Sequence, residues 1–158
     1  GDVTGGILLA HVASQEGMVA ASHACGRSAV MDYAVVPSVI FTTPEVASVG
    51  FREDQARERG ITISVGRFPF RAIGRAHTMG EIAGIIKIIA DAATDKVVGA
   101  HIIGPHASDL IHEIAVSMRG GLRAREIAET IHAHPTLSEG IKEASEAVHG
   151  EAIHMLKP

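Results

Sequence analysis

The chain has 158 residues, a formal net charge of −4 and ten histidines, and is 46% hydrophobic but only 3% aromatic. That length allows one sizeable core, the acidic balance without a basic cluster gives no electrostatic footprint for nucleic acid, and no run of roughly 18 apolar residues is present to cross a membrane as a helix. A single cysteine, Cys25, excludes an internal disulfide framework, a two-cysteine redox centre and a thiolate zinc site within these residues.

The opening Gly1-Asp2 lacks an initiator methionine and reads as the tail of a longer protein. Residues 7–24 place Leu8, Leu9, Val12, Ala13, Val19 and Ala20 at a helical period, which predicts a largely buried helix stopping before Cys25-Gly26. Cys25 itself reads as a small buried filler. Gly5-Gly6 ahead of this helix suits a tight turn as well as a phosphate approach. Residues 26–36 show no period and run into Pro37, so they are expected to be a linker.

Two short extended pieces follow at 38–42 and 46–49, separated by Pro44, which cannot donate to a strand ladder. Residues 51–59 are charge-rich and end at Gly60, the pattern of a solvated helix with a glycine stop. Residues 61–70 alternate Ile61, Ile63 and Val65 as a half-buried strand does. The β-branched runs 84–91 and 97–104 predict a hairpin buried on both faces. Three helices are expected to finish the chain, at 108–118, 124–131 and 137–149. Strands first and helices after them argue for an α+β fold, an antiparallel β-sheet with helices packed on one face.

The chemistry-bearing stretch is 132–139, His-Ala-His-Pro-Thr-Leu-Ser-Glu. A histidine titrates near neutrality, and a carboxylate holding one ring nitrogen makes the other more basic, so His134 and Glu139 are a candidate acid–base dyad. Thr136 with Glu139 also fits a helix capping box, and both duties remain open on spacing. His132 with His134 invites a metal reading, but His101, His106 and His112 share no ligand spacing with them, and no metal site is expected.

Taken in order, the motifs Gly1-Asp2-Val3, Leu9-Ala10-His11 through Glu16-Gly17, Pro44 to Gly50, Phe68-Pro69-Phe70, His101 to Pro105 and His132 to Glu139 resemble the C-terminal part of the dihydrolipoamide dehydrogenases. These belong to the flavin-dependent pyridine nucleotide–disulfide oxidoreductases. The resemblance covers essentially the whole chain. It implies a C-terminal remnant of an FAD-binding domain, with its leftover helix and linker, over 1–35, and a dimerisation domain over 36–158. It also implies that Asp2 binds the ribityl chain of FAD and that Leu9, Ala10 and His11 lie beside the flavin. His134 is then the active-site base, Glu139 its orienting partner and Pro135 the residue that sets the loop, and the dyad works in trans across a homodimer.

FAD and NAD are the cofactors implied for the intact enzyme, with none expected on these residues alone, and lipoyl domains of 2-oxo acid dehydrogenase complexes are the implied partners. The redox disulfide and the nucleotide-binding folds lie outside this sequence, so the segment is expected to be inactive alone. The cytoplasm, or a mitochondrial matrix, is the expected compartment, with no membrane and no nucleic-acid partner. Leu137 and Ser138 favour these enzymes over glutathione-type reductases, and the ending Met155-Leu156-Lys157-Pro158 lacks the paired cysteines of mercuric reductases. A non-catalytic dimerisation module is the alternative from another class. A surplus of apolar residues, with mean hydropathy +0.22, suits a large homodimer surface.

Overall fold

β-Branched runs, which pack well on a pleated surface, build the centre of the sheet in the computed structural model, which describes residues 1–155. Two units separate, Gly1–Val36 and a larger one beginning at Pro37. In the larger unit β1 (Ser38–Ile40), β2 (Glu45–Gly50), β3 (Ile63–Pro69), β4 (Ile85–Asp91) and β5 (Val97–Gly104) form one sheet in the order β1-β2-β5-β4-β3. Every neighbouring pair is antiparallel.

Register decides which side chains share a face, because successive residues point to opposite sides. Ala47, Ile102, Ile86 and Phe68 lie opposite one another across four strands, as do Val49, Ala100, Ile88 and Gly66. The side chains of these rows are buried. Over that face lie α4 (Ala107–Gly120), against β2 and β5, and α6 (Glu139–Val148), against β3 and β4, while α5 (Ala124–Glu129) packs on α6. Ile111 and Ile114 of α4 and Ile141 and Ala144 of α6 close the core. The architecture is the α+β fold expected from the order of elements.

The other face of the hairpin differs from expectation. Ile85 and Ile103 stay 36% and 42% exposed, because the helix on that side, α2 (Glu53–Glu58), is only six residues long and reaches the sheet through Glu53. Glu53 pairs with Arg67 of β3 and, at 3.1 Å, with Lys87 of β4. The helices at 124–131 and 137–149 are also shorter than their sequence patterns suggest, which leaves residues 130–138 as a loop between α5 and α6. A further helix, α3 (Gly74–Met79), follows a 3-10 turn at Phe70–Ala72 in a stretch without an apolar period.

In the smaller unit α1 runs Ala10–Ala24. It starts later than residue 7, and only Val12 of its residues is buried, so the expectation of a largely buried helix is corrected. Cys25 is likewise exposed, not a buried filler. A unit of this size has little surface with which to cover an apolar stripe; Leu8 and Met18 remain 59% and 65% exposed. Tyr33 closes the unit by donating its hydroxyl to Glu16 at 2.7 Å.

Candidate active site

The loop 130–138 is short and is bracketed by the ends of α5 and α6, and that bracketing brings His134 and Glu139 together. Glu139 is the first residue of α6. Its Oε1 accepts a hydrogen bond from His134 Nδ1 at 2.8 Å, and its Oε2 accepts the Thr136 backbone N–H at 2.8 Å. Both candidate duties therefore fall to one carboxylate. The reciprocal half of a capping box is absent, since the Thr136 hydroxyl donates instead to the Ala133 carbonyl at 2.7 Å.

Burial works against the charge on Glu139, but the Thr136 N–H and the His134 ring outweigh it and hold the carboxyl below its ordinary value. An ionised Glu139 fixes the proton on His134 Nδ1 and leaves Nε2 as the basic nitrogen. The His134 side chain is 76% exposed, against 27% for Glu139, so the ring is anchored at one end and open at the other. The peptide joining His134 to Pro135 is cis.

A cavity of about 600 Å³ adjoins the dyad, floored by Phe68 and Ile73 and edged by His132, His134, Glu139 and His154. His154 reaches this edge because Glu143 of α6 holds the last described turn: its Oε2 accepts the backbone N–H of Ile153 at 2.9 Å, and its Oε1 pairs with the His154 ring. His132 lies apart from His134 in its contacts. Its side chain is 6% exposed, Nε2 lies 2.8 Å from Glu113 Oε1, and Nδ1 lies 2.9 Å from the Thr130 carbonyl. The pairing with Glu113 has no sequence signal, because His132 is in a loop and its partner sits 19 positions away on α4.

The remaining histidines are scattered. His101 on β5 contacts the Phe51 carbonyl, His106 pairs with Asp109, and His112 contacts the Ser108 carbonyl. Among the described residues no group of three metal-ligating side chains is found, and no helix is long and apolar enough to cross a membrane. In the smaller unit Asp2 sits exposed in a 3-10 turn, Leu9 precedes α1, and Ala10 and His11 open its first turn, which has no side-chain cap.

Residues 36–145 match the family described as pyridine nucleotide-disulphide oxidoreductase, dimerisation domain. The chain belongs to that family. Over 99% of its length it is 49% identical to a dihydrolipoyl dehydrogenase of Thermus scotoductus, covering 34% of that protein. The dihydrolipoyl dehydrogenase of Bacillus subtilis is 48% identical over 98% of the chain, of which the chain covers 33%. The mitochondrial dihydrolipoyl dehydrogenase of Pisum sativum is 44% identical over 98%, with 31% of that protein covered. Among solved structures, LpdA from Mycobacterium tuberculosis superposes with a TM-score of 0.86 at 33% identity, covering 92% of this chain and 32% of that one. The chain thus spans about a third of the length of the relatives it matches.

Proposed function

We propose that these residues are the C-terminal part of a dihydrolipoyl dehydrogenase and supply two things, the homodimer interface and the proton acceptor for the substrate thiol. In this reading residues 1–35 complete an FAD-binding domain and residues 36–158 form the dimerisation domain, the last three of which lie outside the described residues. The observation that carries the reading is the 2.8 Å bond between His134 Nδ1 and Glu139 on a ring that is otherwise open.

A thiol is a poor nucleophile until it loses its proton, and a free thiol does so near pH 8.5. His134 Nε2 takes that proton from dihydrolipoamide, Glu139 stabilises the imidazolium formed, and the thiolate attacks an enzyme disulfide. Cys25 is the one cysteine in this sequence, so the disulfide comes from other residues and these residues alone do not turn over. The dyad acts on the partner subunit's substrate, which suits a ring displayed outward.

Asp2 and the first turn of α1, which has no side-chain cap, fit a flavin: an exposed carboxylate accepts from ribityl hydroxyls, and amides at a helix start are placed to donate to a polar ring edge. Asp2, Leu9, Ala10 and His11 would hold FAD in the intact protein. Bound FAD would accept the electrons of the dithiol and deliver them to NAD. Lipoyl domains of 2-oxo acid dehydrogenase complexes are the proposed source of the dithiol, in the cytoplasm or a mitochondrial matrix.

The test is His134→Gln in the full-length enzyme, followed by stopped-flow reduction of the flavin by dihydrolipoamide. Loss of a placed general base should slow that step by roughly 10²–10⁴-fold. A step as fast as in the unaltered enzyme would overturn the assignment.

A further inference from the structure

We propose that His132 is the positioning residue of the base loop, tying it to α4 so that His134 meets Glu139 in one geometry; this rests on the dehydrogenase reading above. The two histidines of His-Ala-His behave in opposite ways. His134 is open to solvent, whereas the His132 side chain is 6% exposed and engaged at both nitrogens. A carbonyl can only accept, so His132 Nδ1 donates to Thr130 at 2.9 Å, while Nε2 lies 2.8 Å from Glu113 Oε1.

Glu113 stands on α4, one of the two helices that cover the sheet, and it therefore gives the loop a rigid foothold. On the other side of His134 the loop is held by α6: Thr136 donates its N–H to Glu139 and its hydroxyl to the Ala133 carbonyl. The base is thus clasped from both directions, by His132 two residues before it and Thr136 two residues after it. A histidine serving only as filler needs no carboxylate from a second helix. Proton transfer is sensitive to displacements of about 1 Å, so releasing the α4 tether should reach the chemistry without touching the ring that performs it.

The experiment uses the full-length enzyme with FAD bound and compares His132→Ala, His132→Gln, Glu113→Leu and His134→Gln. Flavin reduction by dihydrolipoamide, which needs the base, is measured beside flavin reduction by NADH, which does not. His132→Ala should slow the first about 10–100-fold and leave the second within about twofold. His132→Gln, whose amide can still donate to Glu113, should recover most of the loss. Glu113→Leu keeps most of the bulk of its side chain but can neither donate to nor accept from His132, and should slow the first reaction alone, so it carries the test if His132→Ala fails to fold. Unaltered rates in the His132 and Glu113 variants beside a slow His134→Gln overturn the positioning role and leave the dehydrogenase reading standing. Equal slowing of both reactions makes His132 a structural residue and also overturns the proposal. A fast His134→Gln removes the reading beneath it.

Discussion

Glu139 serves two partners with one carboxylate, and the consequence is measurable as a dependence of stability on pH. Its carboxyl is held below the ordinary 4.5 in the folded chain, with burial opposing and the Thr136 and His134 hydrogen bonds prevailing. The fold therefore binds fewer protons at this site than the unfolded chain does. Its stabilising contribution is complete above the ordinary value and is lost as pH falls through the lowered one. Glu139→Gln should cost about 1.5 kcal/mol near neutrality, the lower end of the scale for a hydrogen bond to a charged group. Denaturant melts at successive pH values should show the gap between the two proteins closing below about pH 4. A gap of constant size down to pH 3 would mean that the carboxylate charge does not contribute. At this scale the sequence had placed the histidine and the acid five positions apart, but it left capping and orientation as rival duties; the fold gives each carboxylate oxygen a separate partner.

Among the elements, α6 matters most, because it carries Glu139 in its first turn and lies tightly on the sheet. Gly66 of β3 allows this approach: a Cβ there would stand 1.9 Å from the Ala144 carbonyl oxygen of α6. Gly140 does the same at the helix start, where a Cβ would meet the Ile73 and Ile86 side chains at 2.5 and 2.7 Å. The Ile side chains can rotate away, whereas a helix backbone cannot. Gly66→Ala should therefore lift α6 and destabilise the protein by about 1–3 kcal/mol, read as a lower denaturation midpoint. An unchanged midpoint would show that the helix has room to move. Neither contact was legible in the sequence, since a glycine within a strand pattern states only that something comes close. The helical stripe of α4 was legible, because periodicity reports which face is buried without naming what covers it, whereas the alternation of Ile61, Ile63 and Val65 marks the half-buried face of β3, opposite the one where Gly66 and Phe68 lie under α6.

For the whole molecule, the larger unit leaves apolar side chains in water that a lone protomer has no reason to display. Ile131 is 95% exposed, Val116 72% and Ile153 70%, with Phe41 at 80%. Obligate dimer interfaces resemble a core cut in half, and residues 36–145 match a dimerisation-domain family, so a second copy of the chain is the partner expected to cover apolar surface of this kind. The chain is expected to run in light scattering at twice its 16.5 kDa mass. A monomer at micromolar concentration would count against the interface.

Local pattern was enough to identify the α+β class, the strands of the sheet, the apolar stripe of α4 and the family, because side-chain period and ordered motifs are properties of the chain itself. Local pattern also picked out His134 and Glu139. Tertiary structure alone decided that α2 covers only part of the second sheet face and that residues 130–138 are a loop. It also decided that His132 belongs to Glu113 and that α1 is bare along most of its surface. The physical reason is the same in each case: a residue's partner is set by which distant elements pack against it, and a hydrogen bond or a close backbone approach across 19 or more positions leaves no periodic trace in the sequence.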